Sequence, residues 1–193
     1  GRMSKGDIPM VIMGEFEGAQ SLPQVQVLTE KAIYDATLKL IETAKPQEQI
    51  DLAMFYLSER DIVKALITAH QRGVKLRVLL DPNKDAFGRQ KNGIPNRQVA
   101  SELNAAGITV HWCNTQGEQC HIKMIIKHDA AQAELILGSA NFTARNLKNY
   151  NLESDLRVLG VAKAPVFNDA NQYFDMAWSN LDGKNMSVTY SQY

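Results

Sequence analysis

Two short polar clusters in the chain have the residue types and the spacing for chemistry at a phosphodiester. His121 and Lys123 lie within one apolar run, and Ser139 and Asn141 follow a second one. Side chains two residues apart in a β-strand leave the same face of the sheet. If the two strands are neighbours, all four polar groups can converge on one phosphate.

His121 and Lys123 suit phosphoryl transfer for electrostatic reasons. A phosphodiester is anionic, so a neutral imidazole attacks it more readily than an anion does, and a fixed ammonium neutralises the charge that grows on the phosphoryl oxygens. This chemistry requires no metal ion. The alternative interpretation is that a histidine and a lysine alternating in a strand are simply an exposed polar face.

The complete pattern is more specific than either cluster. His121-x-Lys123, with Gly138-Ser139-x-Asn141 downstream, resembles the HKD signature of the phospholipase D superfamily. The resemblance covers about residues 27–178 and includes further similar segments at residues 53–58, 72–74, 117–119 and 151–153. Residues 81–96 are similar more particularly to bacterial two-motif members, a group that includes cardiolipin-synthase-like proteins.

The resemblance implies a metal-independent phosphodiester hydrolase or phosphatidyltransferase without a cofactor. His121 would form a phosphohistidine, which water or another alcohol then resolves. Glu153 matches the place of a family glutamate that orients the histidine, and a carboxylate partner is chemically suited to fixing the imidazole tautomer. Asn151 and Glu153 could instead be surface residues.

The chain departs from the family pattern at one position. The family spacing places an aspartate where this chain has His128, and the nearest carboxylate is Asp129, one residue later. The distance to Gly138 is also longer, which indicates a small insertion in the turn at residues 128–132. Because the family aspartate is mainly structural, the departure bears on local geometry more than on catalysis, and Asp129 is not included in the catalytic set.

A single motif does not supply the acid that must protonate the leaving group. The leaving alkoxide needs a second acid, and the resemblance implies that the histidine of a second HKD half supplies it. Either two copies of the chain pair as a homodimer, or the chain is the C-terminal half of a longer enzyme whose N-terminal domain carries the other motif. The missing start and the two-motif-like loop favour the longer enzyme.

Composition limits the substrate classes only mildly. The 193 residues are 45% hydrophobic, which suits one domain, and 21 basic residues balance 21 acidic ones. No global field would attract nucleic acid or an anionic membrane, which mildly disfavours a nuclease. Together with the particular resemblance, this makes a phospholipid the first expectation, a nuclease acting as a homodimer the second, and a non-catalytic scaffold or partner-binding half the third. No run reaches the length of a transmembrane helix. The sequence indicates a soluble bacterial segment, and peripheral membrane contact of the full-length protein stays open.

The elements that must position the site alternate between helices and strands. Helical periodicity is present at residues 30–44, 62–69, 96–106 and 164–178, and buried strands are expected at 50–57, 74–80, 108–113, 120–127, 133–137 and 151–158. Ser58 and Asp61 match a capping box, and Gly73 matches a helix stop. The pattern predicts an α/β fold, a mixed β-sheet sandwiched between helices, of the phospholipase D-like half type.

The domain organisation expected is a catalytic domain at residues 25–180. Residues 1–24 are expected to be an irregular lead or linker with a cloning remnant, and residues 181–193 a polar tail. The long loop at residues 81–95 carries Lys84, Arg89 and Lys91, which makes it a candidate substrate-binding rim. A solvated charged loop is the alternative.

The two cysteines and four histidines give no metal site. Neither an HExxH pattern nor paired CxxC spacing is present. Cys113 and Cys120 flank a polar turn, so a disulfide is geometrically conceivable. In a chain of this length, however, two cysteines are expected to be small buried apolar residues.

Overall fold

The computed structural model describes residues 7–11, 22–29, 31–82, 96–114, 123–138, 154–180 and 186–190, the first of these ranges by its backbone only. The strands of the described residues are β1 (Asp7–Val11), β2 (Gln24–Thr29), β3 (Gln49–Met54), β4 (Lys75–Leu80), β5 (Thr109–Cys113), β6 (Met124–His128), β7 (Gln132–Gly138), β8 (Ser154–Val161) and β9 (Ser187–Thr189). Their helices are α1 (Lys31–Glu42), α2 (Arg60–Gln71), α3 (Asn96–Ala105) and α4 (Pro165–Ser179).

All the described strands join one mixed sheet. Their order is β1-β2-β8-β7-β6-β3-β4-β5-β9. β3, β4 and β5 run parallel, because helices α2 and α3 carry the chain back between them, and the other pairings are antiparallel. The predicted mixed sheet between helices is therefore confirmed.

The sheet separates two hydrophobic cores, because alternate strand residues face opposite sides. Helices α1, α2 and α3 cover one side, where the buried side chains include Ile33, Leu40, Ile50, Leu52, Leu66, Val99 and Trp112. Helix α4 covers the other side, with Ala53, Leu79, Ile126, Leu135, Phe167 and Phe174. Each large side chain buried this way contributes about 1.5–3 kcal/mol of transfer free energy, so the two cores hold the strands in register.

The start of α2 differs from the predicted capping box. Glu59, not Ser58, is the N-cap residue, and its carboxylate accepts a hydrogen bond from the N–H of Asp61. The end of the helix agrees with the sequence, because Gly73 adopts a left-handed conformation with φ 95°. Arg72, the preceding residue, donates to the carbonyl oxygens of Ala44 and Ile41 and so ties this end to the end of α1.

Both outer strands lie in segments that were expected to be irregular. β1 falls within residues 1–24 and pairs antiparallel with β2, and β9 falls within residues 181–193 and pairs with β5. The expectation of an irregular lead and tail is wrong for these strands. Short edge strands need little apolar periodicity of their own, because the neighbouring strand supplies their hydrogen bonds, and Pro9 is compatible with an edge position.

The expectation of unlinked cysteines is also wrong. Cys113, at the buried end of β5, is disulfide-bonded, and no free cysteine is present in the part of the chain that the structure describes. The sequence contains one other cysteine, Cys120, which lies outside the described residues. Composition alone carries no information on whether a turn brings two sulfur atoms together, which is why the sequence favoured the wrong alternative.

Candidate active site

The two halves of the signature meet at Lys123 and Gly138. The N–H of Gly138 donates to the carbonyl oxygen of Lys123 over 3.1 Å, which continues the pairing of β6 with β7. Gly138 is in turn opposite Asp155 on β8. Lys123, Gly138 and Asp155 therefore form a row across three neighbouring strands at one end of the sheet, which we call the cross-strand row.

Of the residues predicted to be catalytic, Lys123 is the one that the structure describes. His121, Ser139, Asn141 and Glu153 lie outside the described residues. In the sequence, His121 is two residues before Lys123. Ser139 directly follows Gly138.

Lys123 is half-buried at the start of β6. Its alternate neighbours Ile125 and Lys127 face the side of the sheet that α1 covers, since Ile125 joins that core and Lys127 donates to Thr43 on α1 over 3.2 Å. Alternation places Lys123 on this same side. Lys123 thus lies at the end of the sheet where the cross-strand row is found.

Gly138 is a glycine because β7 and β8 approach each other closely there. A Cβ atom on this residue would lie 2.3 Å from Oδ1 of Asp155 and 2.6 Å from the carbonyl oxygen of Ser154. Asp155 itself is buried, with 4% of its surface exposed. Gly138 is part of the signature in the sequence, whereas its pairing with Asp155 depends on strand register and was not predicted.

Asn96 fixes the C-terminal ends of β3 and β4, at the same end of the sheet as the cross-strand row. Its amide donates to the carbonyl oxygens of Phe55 and Asp81 over 2.6 and 3.0 Å, and its Oδ1 accepts from the N–H of Leu57 over 2.8 Å. Asn96 is fully buried. The sequence identified it as the start of a helix, and its bridging role was not predicted.

The predicted rim residues Lys84, Arg89 and Lys91 lie outside the described residues. The two ends of the segment that carries them are described, and the hydrogen bond from Asn96 to Asp81 joins them. The segment leaves from the end of β4, which is separated from β6 and Lys123 by one strand, β3.

His128 occupies the position of the family aspartate and contacts a carboxylate from the adjacent strand. Its Nε2 lies 3.4 Å from Oδ2 of Asp51 on β3. Asp51 is completely buried and accepts from Nε and Nη2 of Arg77 over 2.8 and 2.9 Å. Arg77 also donates to Asp175 on α4 over 2.7 Å, so the cluster connects β3, β4, β6 and α4.

Electrostatics keep Asp51 ionised in this buried position. Burial alone would raise the pKa of Asp51, but hydrogen bonds from Arg77, His128 and Gln49 outweigh it and lower the pKa below its usual value. The guanidinium of Arg77 also lies over the rings of Phe174 and Trp178, 4.9 and 5.7 Å from their centroids. Asp51 thus supplies a carboxylate beside position 128, where this chain has a histidine.

Asp129 has a separate role in the turn between β6 and β7. Its Oδ1 accepts from the N–H groups of Ala131 and Gln132, both over 2.8 Å. These bonds lower the pKa of Asp129. Since Lys123 is at the other end of β6, about 20 Å along an extended strand, Asp129 does not reach the cross-strand row.

The described ranges contain no group of three or more His, Cys, Asp or Glu residues arranged to hold a metal ion. No helix within them has both the length and the apolar character needed to cross a membrane.

Comparison with known proteins identifies the family of the chain. Residues 37–178 match the family model described as cardiolipin synthase, PLD-like domain. The chain belongs to the phospholipase D-like family. Phospholipase D-like relatives include Phospholipase D Z of Dictyostelium discoideum, which is 28% identical over 157 residues, covering 69% of this chain and 33% of the relative.

Solved structures share the phospholipase D-like fold. The phospholipase D family member Nuc from Salmonella typhimurium superposes with a TM-score of 0.66 at 23% identity, covering 88% of this chain and 99% of that one. The phosphatidylserine synthase of Haemophilus influenzae Rd KW20 gives a TM-score of 0.63 at 10% identity, covering 89% of this chain and 41% of that one. The chain spans about a third of the length of the curated relatives it matches.

Proposed function

We propose that the chain supplies one half of a metal-independent phosphodiesterase or phosphatidyltransferase site that acts on phospholipids. The observation that carries the proposal is the hydrogen bond from Gly138 to Lys123, together with the pairing of Gly138 and Asp155. These contacts bring three segments to one end of the sheet. His121 precedes the first segment, Ser139 and Asn141 follow the second, and Glu153 precedes the third.

The proposed reaction has two displacements at phosphorus. A nitrogen of His121 forms a bond to phosphorus while the bond to the leaving oxygen breaks, and an acid from the second half protonates that oxygen. Water or another alcohol then attacks the phosphohistidine, loses its proton to the same group and frees His121. Lys123, Ser139 and Asn141 stabilise the phosphoryl oxygens, and Glu153 orients the imidazole.

The second half is either another copy of the chain or the N-terminal domain of a longer protein. The longer protein is favoured because the chain spans 33% of the length of one curated relative and 31% of another. Nuc, in contrast, is covered over 99% of its chain, which supports the alternative of a homodimer.

A phospholipid is the preferred substrate for two reasons. The matching family model is described as cardiolipin synthase, and the balance of 21 basic and 21 acidic residues offers no global attraction to a polyanion. In this proposal, Lys84, Arg89 and Lys91 contact the anionic head group at the membrane surface. A nuclease of the same chemistry is the second candidate, and a non-catalytic scaffold or partner-binding half is the third.

The test is covalent trapping on His121. The chain, alone and co-expressed with its second half, is incubated with phospholipid vesicles carrying 32P in the phosphodiester and quenched in base. Acid-labile label on the peptide containing His121, and loss of both label and turnover in His121→Ala, are the expected results. His70→Ala, on α2, is the matched control and should retain both.

The same preparations distinguish the three functions. Release of lipid head group with little cleavage of a single-stranded oligonucleotide supports the lipid reaction, and the reverse supports a nuclease. Full activity of His121→Ala contradicts the mechanism. Absence of label and turnover with both substrates in the assembled protein supports a non-catalytic half.

A further inference from the structure

We propose that the disulfide of Cys113 is a positioning device for catalysis, which links the buried end of β5 to Cys120, the residue directly before His121. Cys113 is disulfide-bonded, and the sequence contains one other cysteine, Cys120. The catalytic role of His121 rests on the proposed function. Neither cysteine belongs to the signature pattern.

The pairing follows from the number of cysteines and from burial. A disulfide needs two sulfur atoms, and one copy of the chain contains two cysteines. Cys113 is 5% exposed, which disfavours a bond to a cysteine of another copy. Cys120 lies outside the described residues, so it is assigned as the partner by this count.

The Cys113 end of the link is held by strands on both sides. β5 pairs with β4 through Trp112 and with β9 through Cys113, which lies opposite Ser187. The N–H of Asn114 donates to the carbonyl oxygen of Met186 over 2.8 Å. Cys113 is therefore carried by paired backbone within the sheet.

Further hydrogen bonds fix β9 to the end of α4. Oδ1 of Asn180 accepts from the N–H groups of Met186 and Ser187 over 2.8 and 2.9 Å. Its Nδ2 donates to the carbonyl oxygen of Ser187 over 2.9 Å. The buried hydroxyl of Ser187 donates to the carbonyl oxygen of Trp178 over 3.0 Å. The backbone around Cys113 is thus tied to a helix as well as to the sheet, and it forms a firm attachment point for the disulfide.

This attachment point lies at the end of the sheet that carries the cross-strand row. β3, β4 and β5 are parallel, and β6 is antiparallel to β3, so the C-terminal ends of the first three strands lie beside the start of β6. Cys113 is the last residue of β5, and Lys123 directly precedes β6. A disulfide to Cys120 therefore ties the connection between β5 and β6 to the sheet one residue before the proposed nucleophile.

A covalent tie beside His121 is useful because in-line attack requires the imidazole nitrogen within about 3–3.5 Å of phosphorus. A segment that is already restrained loses less conformational entropy when the substrate binds. Loss of the disulfide should therefore reduce kcat more than it changes KM. Activity should also follow the redox environment, because disulfides persist in oxidising compartments and are reduced in others.

The first test determines the connectivity and does not depend on activity. Proteolysis after glutamate separates the two cysteines, because Glu118 lies between them. Without reductant, peptides 103–118 and 119–134 should stay linked, and reductant should release them. The chain should migrate as a monomer on a non-reducing gel. A disulfide-linked dimer, or free thiols in protein purified without reductant, would overturn the pairing.

The second test compares the oxidised and the reduced chain, each assembled with its second half. Dithiothreitol transfers two electrons and two protons to the disulfide, which leaves two thiols on the chain and a cyclic disulfide in the reductant. Reduction should lower kcat on phospholipid vesicles about tenfold or more, with a change in KM of less than about twofold. Reoxidation with oxidised glutathione should restore kcat. An unchanged kcat would overturn the proposal.

Serine variants separate loss of the disulfide from other effects of the reductant. Cys113→Ser, Cys120→Ser and the double variant should share the low kcat of the reduced chain, and dithiothreitol should lower it no further. Cys120→Ser covers the case in which the variant at the buried Cys113 folds poorly. Serine variants with the kcat of the oxidised wild type would contradict the positioning role.

Ser187→Ala is the matched control. It removes the hydrogen bond to Trp178 beside Cys113 but leaves both cysteines in place. This change should lower the thermal unfolding temperature, while the folded protein keeps kcat within about twofold and remains sensitive to dithiothreitol. A loss of kcat as large as that of Cys120→Ser would show that general weakening of this edge, and not the disulfide, accounts for the effect.

An NMR measurement separates this inference from the proposed function. In protein with 13C-labelled histidine, the imidazole resonances of His121, assigned with His121→Ala, should change on reduction, whereas those of His70 on α2 should not. If they change but no phosphodiester is turned over, the proposed function fails and the positioning by the disulfide stands. If turnover is present and both kcat and the His121 resonances ignore reduction, the positioning fails and the proposed function stands.

Discussion

The carboxylate of Asp51 accepts two hydrogen bonds from the guanidinium of Arg77, over 2.8 and 2.9 Å, although the two residues are 26 positions apart in the sequence. They are directly opposite in the parallel pairing of β3 and β4. His128 approaches the same carboxylate from β6. A neighbouring strand therefore places a carboxylate beside position 128, where the family pattern has an aspartate and this chain has histidine.

Asp51→Ala should lower the free energy of unfolding by about 3–5 kcal/mol, because it leaves the partly buried Arg77 without its main counter-charge. Asp175→Ala removes the more exposed partner of the same arginine and should cost less than about 1 kcal/mol. Urea denaturation of the two variants measures the difference. Equal losses of unfolding free energy would show that the buried Asp51–Arg77 pair stabilises the fold no more than the exposed Arg77–Asp175 pair does.

Asp51 should also make stability depend on acid pH. Its pKa is lowered in the folded protein, so the folded state binds fewer protons than the unfolded one near the usual aspartate pKa of about 3.9. Its contribution is present above that pH and is lost as pH falls below it. Denaturation between about pH 5 and 2 should show a shallower decline for Asp51→Asn than for the wild type, and parallel declines would contradict this assignment.

Lys123→Arg should lower activity about 100-fold while the unfolding free energy changes by less than about 0.5 kcal/mol. The guanidinium keeps the charge but has a different shape and donor geometry. Lys127→Arg is the matched control, since Lys127 faces the same side of β6 but donates to Thr43 on α1. Steady-state rates on phospholipid vesicles, measured with the chain assembled with its second half, test this prediction, and wild-type rates for Lys123→Arg would indicate a surface residue.

Gly138→Ala should reduce both stability and activity. The added Cβ would meet Oδ1 of Asp155 and the backbone of Ser154, so the β7–β8 pairing must shift, at a cost of about 1–3 kcal/mol. Gly160→Ala is the comparison, because the nearest atom to its Cβ is at 3.2 Å. Thermal unfolding and turnover should both change less for Gly160→Ala than for Gly138→Ala.

A monomer of this chain should be inactive, or nearly so, on a natural phosphodiester. The nucleophilic histidine cannot also protonate the leaving oxygen in the same step. Specific activity should rise with protein concentration if two copies pair, or appear on co-expression with an N-terminal half. Rate measurements with parallel size-exclusion chromatography test this, and concentration-independent activity of a monomer would refute the need for a second acid.

The sequence predicted the parts of the fold that depend on local periodicity. The apolar stripe of α1, which includes Ile33, Leu40 and Ile41, is buried as expected. The alternation of helices and strands was sufficient to predict a mixed sheet covered by helices, because each element must bury one apolar face. Edge strands β1 and β9 were missed, since their formation depends on the hydrogen-bonding groups of β2 and β5 and little on their own side chains.

By itself, the sequence determined the family, the mixed α/β architecture and the identity of the residues proposed for catalysis, because signature spacing and apolar periodicity are local properties of the chain. Only the tertiary structure decided which distant residues meet. The pairs Asp51–Arg77 and Gly138–Asp155 depend on strand order and register. A shift of one residue in register would send each side chain to the other face, so these contacts exist only once the whole sheet has formed.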